Sequence, residues 1–275
     1  MVITIGLFHK MITQKSKIVI SGANGAVGEI LFEKFQKNNY LVSKLDLNNQ
    51  KKQDVFIHLA AKTFNTNEIL DSNIEYLKKC IEYCKKTDIK YFVFFSTVSV
   101  YGNIDSLNIN EESNFSNKPN IYGLSKLIGE ELLKQSDMSV LNLRLPAILT
   151  KNTKNTFIYS LYEKLEKNQD ITITNSNKIF NNVVDVGSIY ESILNYDFKE
   201  KNRTYLIASK QEKTLKEVVM FLKEILNSKS KIIENSSKSN FYNINISKSQ
   251  DDLIYQAKDI FDILKQWIDL LKGRN

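Results

Sequence analysis

The chain is poor in the residues that cross-link or punctuate folds. Its 275 residues include two cysteines, two prolines, two histidines and one tryptophan. Cys80 and Cys84 alone build neither a secreted disulfide framework nor a zinc cluster, and no metal site is expected. No apolar run approaches the roughly 20 residues that span a bilayer, so no membrane partner is expected. The run Val2–Phe8 is too short for the apolar segment of a secretory signal and lacks a small-residue cleavage site. The expected location is the cytoplasm. Arginine is scarce as well, with only Arg144, Arg203 and Arg274 among 38 basic residues. The net charge of +7 therefore comes from lysines scattered along an asparagine-rich chain. Without an arginine cluster or basic–aromatic interleaving, a nucleic-acid partner is not expected, and an anionic small molecule is favoured.

What is present is ordinary for a folded protein: 42% hydrophobic and 25% charged residues. The length implies one large domain or two closely packed lobes. From residue 17 to 146, short β-branched runs alternate with helix-period segments, the pattern of a doubly wound α/β sheet. Strands are predicted over 17–21, 40–45, 55–59, 91–95 and 140–145, with helices over 29–37, 72–86 and 121–135. Asn38-Asn39 ends the first helix where positive φ is needed. After Pro146 the regularity loosens. Helices are predicted over 156–167, 214–226 and 258–271, a strand over 204–208, a polar loop over 175–182, and a Ser/Lys/Asn-rich stretch over 227–240.

Gly22-Ala23-Asn24-Gly25-Ala26-Val27-Gly28 follows a strand and opens a helix. Such glycines let the backbone turn sharply and approach a pyrophosphate at the positive helix N-terminus. Asp46 follows about 20 residues later, at the end of the second strand, where a carboxylate binds ribose hydroxyls and repels a 2′-phosphate. NAD is therefore favoured over NADP, although Lys44, Lys51 and Lys52 lie nearby. Tyr122 and Lys126 stand at i, i+4 on one helix face. A tyrosine titrating near 10 needs cationic neighbours to act as a base. Just upstream, Phe95–Gly102 ends a strand with Thr97, whose hydroxyl can aim at the same substrate oxygen. His58, Cys80 and Cys84 read as packing residues.

Taken in order, these pieces resemble the extended short-chain dehydrogenase/reductases of the NAD-dependent epimerase/dehydratase family, which act on nucleotide sugars. The carrying stretches are GANGAVG, Asp46, His58-Leu59-Ala60-Ala61, Asn73, FFSTVSVYG, PNIYGLSKLIGEE and Arg144-Leu145-Pro146-Ala147. The resemblance is strong over residues 17–150 and fainter through Asn182–Val186 and the final helices. It implies a Rossmann-like domain over residues 17–150 and about 182–208, and a smaller substrate lobe over about 151–181 and 209–275. It implies Tyr122 as general acid/base, Lys126 as its partner and a ribose ligand, and Thr97 as the hydroxyl on the sugar oxygen. The implied cofactor contacts are Gly22, Asn24, Gly25, Ala26, Val27, Gly28, Asp46, Leu59, Ala60, Ala61, Asn73, Tyr122, Lys126 and Pro146. It also implies a homodimer through the helices of Asn73–Cys84 and Tyr122; Tyr76 and Tyr83 either serve that surface or line the monomer core.

Six positions at four places depart from the family pattern. The Asp-Glu pair of the dehydratases is Val98-Ser99 here, so the acid and base for elimination are missing. The later Asp-Asp is Gly187-Ser188, the Arg that grips the nucleotide diphosphate is Asn181, and an epimerase Asn is Ala147. The resulting expectation is a nucleotide-sugar epimerase or 4-ketoreductase. The alternative is a non-catalytic NAD-binding sensor of the same fold, whose sign would be loss of Tyr122, Lys126 or Thr97. All three are present. The link from Asp46 to Val55 is also too short for the usual third strand and helix. Leu47–Gln53 should cross nearly extended, leaving the Asp46 strand at the sheet edge and the adenine pocket half open.

Overall fold

The computed structural model describes residues 12–63, 66–103, 108–116, 120–235 and 242–273. The Val2–Phe8 run, Pro119, Arg274 and residues 236–240 lie outside them. The first half alternates β1 (Lys17–Ser21), α1 (Ala26–Lys37), β2 (Leu41–Lys44), β3 (Val55–His58), α2 (Thr66–Lys86) and β4 (Tyr91–Thr97). A 3-10 turn over Val98–Tyr101 and β5 (Asn108–Ile109) precede α3 (Ile121–Lys134), β6 (Ser139–Leu145) and β7 (Ala147–Leu149). The remainder comprises α4 (Phe157–Glu166), β8 (Ile171–Thr174), β9 (Val183–Asp185), α5 (Val186–Asn195) and β10 (Asn202–Leu206). It closes with α6 (Leu215–Ile225), β11 (Ile232–Asn235), β12 (Asn243–Ile244), α7 (Ser247–Asp252) and α8 (Ile260–Leu271).

Six strands form one parallel sheet in the order β10-β6-β4-β3-β1-β2. Its central strands are continuous apolar runs because helices cover both faces. On one face Phe56, Phe92 and Phe94 pack with Leu77, Cys80 and Cys84 of α2 and Leu133 of α3. On the other, Ile18, Ile20, Val93 and Leu143 pack with α1 and α5. Both cysteines are buried and free, with thiols that burial pushes upward, to about 12 for Cys80. A separate core joins α4, α6 and α8 around Trp267, whose indole N–H donates to the Thr150 carbonyl at 3.0 Å. That ring is 1% exposed, and truncating it to alanine should cost about 3–5 kcal/mol.

The chain passes from β1 out to β2 and then back across β1 to β3, so a crevice opens where the order reverses, at the strands' carboxyl ends. The shortened link carries no crossover helix, as expected, but it is not extended throughout: Asp46–Asn49 forms a turn closed by the Asn49 N–H to the Asp46 carbonyl at 3.1 Å. No helix or strand occurs between β2 and β3, and β2 is the sheet edge. The crossing is pinned by Tyr83, whose hydroxyl donates to the Asn49 carbonyl at 3.1 Å, and by Asp54, whose carboxylate accepts the Lys17 N–H at 2.7 Å. Asn39 takes φ 61° after α1, as read from the sequence.

Other elements differ from expectation. Helix α2 begins six residues earlier than predicted, because Ile69 continues the buried spacing of Asn73, Leu77, Cys80 and Cys84. Strand β10 is shifted two residues toward the N-terminus: Ile207 and Ala208 are buried, but the ladder with β6 ends at Leu206. The pairs β7–β9 and β8–β11 are too short to show a period in sequence. Residues 242–255, read with the substrate lobe, place Tyr242, Ile244, Ile246, Leu253 and Tyr255 in the sheet-side core. Tyr83 is 5% exposed and packs inside the monomer, the core-lining alternative, and Tyr76 is half-buried and tilted near His58.

Candidate active site

The cofactor end is built where β1 and β3 finish side by side. The Ser21 hydroxyl and His58 Nδ1 are 2.8 Å apart, and burial holds the imidazole well below its ordinary pKa, hence neutral. Gly22 then turns with φ +76°, and a Cβ there would fall 2.6 Å from the Ala60 nitrogen. A Cβ on Gly28 would fall 2.1 Å from the Gly22 carbonyl oxygen, so only glycine lets α1 sit down on this turn. Helices α3, α4, α5, α6 and α8 each carry a side-chain cap, whereas α1 starts at Gly25 with none. Its first N–H groups are left to a ligand, and the helix dipole favours an anionic one. The loop thus fits the pyrophosphate of a dinucleotide.

The reacting end is built by β4, the following 3-10 turn and α3. Asn120 caps α3, its Oδ1 accepting the Gly123 N–H at 2.6 Å. Gly123 packs against the turn so closely that a Cβ would meet the Ser99 carbonyl oxygen at 2.1 Å. That contact brings the start of α3, and with it Tyr122, against the turn that follows Thr97. Thr97 Oγ1 accepts the Ser99 N–H at 3.1 Å. One lone pair is used, and the hydroxyl proton has no partner among the described residues. Behind the turn, the Tyr242 hydroxyl donates to the Val98 carbonyl at 2.8 Å, tying a distant segment to this wall.

Thr97, Tyr122 and Lys126 line one cleft of about 640 Å³ together with Gly22, Gly25, Ala26, Val27, Gly28, Leu59, Ala61 and Pro146. Burial pushes the Tyr122 phenol up to about 12. Burial also pulls the Lys126 ammonium down to about 7, with Glu130 one turn away opposing that shift. Lys126 Nζ lies 4.8 Å above the Phe94 ring. Beneath it, Glu130 accepts Arg144 Nη2 at 2.7 Å, Arg144 Nε at 3.1 Å and the Ser96 hydroxyl at 2.5 Å. Arg144 Nη1 reaches the Tyr101 hydroxyl at 2.8 Å. This buried network joins α3 to β4 and β6 directly under Lys126.

The remaining expected contacts are placed differently from one another. Ala60, with Leu59 and Ala61, borders an adjoining recess of about 470 Å³ that also contains Asn73 and Tyr76. Asn73 is fully engaged by the protein: Oδ1 accepts the Lys62 N–H at 2.7 Å, and Nδ2 donates to the Lys62 carbonyl and to Ser125 Oγ. It fixes the wall rather than offering its amide. Asp46 lies two residues past β2, exposed, with its carboxylate accepting the Asn48 N–H at 3.0 Å. Asn24 is exposed and accepts Lys44 Nζ at 2.6 Å. Asn181 is buried outside the cleft, bonded to Ser209 and Ile244. Sequence reading missed the loop Thr150–Thr156, whose Asn152, Lys154 and Asn155 line the cleft. Its signal is a polar run, Thr150-Lys151-Asn152-Thr153-Lys154-Asn155-Thr156, at the carboxyl side of the sheet, where open α/β folds bind ligands.

Among the described residues no group of three or more His, Cys, Asp or Glu side chains is placed to hold a metal, and no helix is long and apolar enough to cross a membrane.

Comparison with known proteins places this architecture. A dTDP-D-glucose 4,6-dehydratase of Dictyostelium discoideum is 34% identical over 145 residues, covering 46% of this chain. The match spans 33% of that relative's length. MoeE5 solved with UDP-glucose and NAD superposes with a TM-score of 0.77 at 18% identity, covering 94% of this chain and 99% of that one. RMD from Pseudomonas aeruginosa, solved with NADPH, gives a TM-score of 0.76 at 19% identity, covering 95% and 100%. The sequence model of the NAD dependent epimerase/dehydratase family matches residues 18–208, which include the glycine loop, Thr97, Tyr122 and Lys126, and the chain belongs to that enzyme family.

Proposed function

We propose that the protein is a nucleotide-sugar epimerase or 4-ketoreductase that works at a sugar carbon bearing a hydroxyl or keto oxygen. The observation that carries this reading is the single cleft in which Thr97, Tyr122 and Lys126 meet the uncapped glycine loop. Gly22, Gly25 and the first turn of α1 would hold the pyrophosphate of NAD, and Lys126 the ribose beside the nicotinamide. Leu59, Ala60, Ala61 and Pro146 would shape the walls. When bound, the nicotinamide donates or accepts a hydride.

The protein's own work is proton transfer and orientation. Tyr122 carries a proton on its phenol oxygen, which burial makes hard to lose. Protonated, it delivers that proton to a carbonyl oxygen in the reducing direction; in the oxidising direction the same oxygen, as the phenolate, takes the hydroxyl proton. The free Thr97 hydroxyl proton orients the same sugar oxygen. An ammonium at Lys126 favours the phenolate when Tyr122 has lost its proton. Lys154, which also lines the cleft, would give it a positive charge for the diphosphate of the substrate. Elimination of water would need a second acid and base beside Thr97, and Val98 and Ser99 supply neither. The reading therefore differs from the activity of the Dictyostelium relative.

Assembly as a homodimer belongs to the same reading. Leu124, Ile128 and Leu132 form a half-buried apolar stripe at i, i+4, i+8 on α3, which supports pairing with a second copy.

The test is a panel of UDP- and dTDP-linked hexoses and 4-ketohexoses, incubated with and without reduced cofactor and resolved by chromatography. Isomer formation without net cofactor consumption marks an epimerase, and stoichiometric cofactor consumption marks a ketoreductase. Elimination products, or no conversion of any member, would overturn the reading.

A further inference from the structure

One amide in the cleft has a fixed orientation and an acceptor to spare. Two asparagines stand side by side before β9: Asn181 is buried outside the cleft, and Asn182 lines it. Asn181 is locked in place, since Oδ1 accepts the Ile244 N–H at 2.9 Å and Nδ2 donates to the Ser209 and Ile244 carbonyls. Asn182 Nδ2 donates to the Tyr242 carbonyl at 2.8 Å. A carbonyl can only accept, so the amide nitrogen must face it, and Asn182 Oδ1 has no partner among the described residues. Strands β7 and β9 pair Ala147 with Val183, which sets Asn182 beside Pro146. The hydroxyl of the same Tyr242 donates to the Val98 carbonyl at 2.8 Å, one residue past Thr97. Val98, Thr97, Pro146 and Asn182 all line the one cleft. A single buried tyrosine thus braces two of its walls, Asn182 through its backbone and Val98 through its side chain.

We propose that Asn182 determines sugar specificity, its Oδ1 accepting a hydrogen bond from a substrate hydroxyl other than the reacting one. The proposal rests on the reading of the cleft as a nucleotide-sugar site. Position is the first argument. Pro146 follows β6, the glycine loop follows β1, and β4 and β3 lie between those strands, so Asn182 stands about 14 Å across the sheet from the loop. It therefore belongs to the end where Thr97 and Tyr122 act, not to the pyrophosphate end. Orientation is the second. The Tyr242 carbonyl holds the amide before any ligand arrives, which removes side-chain freedom that binding would otherwise have to freeze. Chemistry is the third. A neutral amide oxygen selects an O–H or N–H donor. A sugar lacking that donor leaves a half-buried acceptor without a partner once the cleft is filled, and sites of this kind reject such analogues.

Steady-state kinetics of the full chain test this on the nucleotide sugar that the panel converts and on its monodeoxy analogues, each lacking one non-reacting hydroxyl. Wild type is compared with Asn182→Ala, with the apolar isostere Asn182→Leu and with Tyr242→Phe, and calorimetry follows UDP and dTDP alone. One deoxy analogue should lose about tenfold in kcat/KM with wild type. With either Asn182 variant the same analogue should lose less than about twofold, because the acceptor is gone. Tyr242→Phe keeps the backbone carbonyl that holds Asn182, so it should keep the discrimination. The free nucleotides should bind all four proteins within about twofold. Discrimination that survives in a folded Asn182 variant would overturn the proposal. Equal loss of discrimination in Tyr242→Phe would overturn it by assigning the effect to the brace, and weakened binding of free nucleotide would overturn it by assigning the contact to the base. Conversion of no panel member would overturn the catalytic reading, and the proposal with it, whereas the other three outcomes leave that reading standing.

Discussion

Gly123 rests on the carbonyl of Ser99 so closely that no larger residue fits: a Cβ would stand 2.1 Å from that oxygen. The contact joins the helix of Tyr122 and Lys126 to the turn that follows Thr97, and it fixes how far apart Tyr122 and Thr97 can sit. Gly123→Ala should lift the start of α3 off the turn. Overpacking of this kind costs about 1–3 kcal/mol. A displacement near 1 Å at reacting groups costs about 10²-fold in turnover. Thermal denaturation and steady-state kinetics would check both, and unchanged turnover would contradict the claimed geometry.

The pair Glu130–Arg144 is the structural counterpart beneath the site. Both side chains are about 6% exposed, and every oxygen of Glu130 is bonded. Glu130→Ala leaves the Arg144 guanidinium buried without its carboxylate, a loss of about 3–5 kcal/mol. Replacing both residues by apolar ones of similar volume should cost less than the single change. Urea denaturation of the single and double variants decides it, and a neutral Glu130→Ala would contradict the assignment.

Lys126 makes a pH prediction whose sign follows from burial. Its ammonium is held near 7 in the folded protein, against about 10.4 in an unfolded chain. Between those values the unfolded chain binds more protons, so this group's contribution to stability rises with pH, by at most about 1.4 kcal/mol per unit. The neutral His58 does not titrate in that window. Between pH 7 and pH 9 the wild type should gain about 1–3 kcal/mol relative to Lys126→Met in urea denaturation. A parallel pH response in both proteins would contradict the placement of Lys126 in a desolvated wall.

A homodimer through α3 predicts a mass in light scattering of about twice the 31.8 kDa chain at micromolar concentration. Leu124→Glu with Ile128→Glu should return it to one chain mass, since paired carboxylates in an apolar interface are costly. A wild type that remains monomeric would contradict the dimer.

Much of this was legible before any coordinates. The parallel strands are buried on both faces, so their β-branched runs mark them directly, and Asn39 marks the end of α1 by its tolerance of positive φ. Thr97, Tyr122 and Lys126 could be named because a strand end and one helix face position them locally. The missing crossover helix between Asp46 and Val55 followed from chain length alone. What stayed hidden depends on contacts distant in sequence. Tyr242 reaches Val98 across 144 positions, and Asn181 is captured by Ser209 and Ile244 instead of facing the cleft. Tyr76 and Tyr83 share one helix, and only the packed neighbours reveal that they turn inward. Lys154 lay in a run with no period.

The central claim is proton transfer at the Tyr122 oxygen. Tyr122→Phe keeps the ring and removes that oxygen, so it tests the claim with little disturbance to packing. On whichever nucleotide sugar the panel identifies, single-turnover kinetics should show a loss of about 10²–10⁴-fold, while nucleotide binding and the melting temperature stay near wild type. A Tyr122→Phe protein that turns over within a few-fold of wild type would contradict the account.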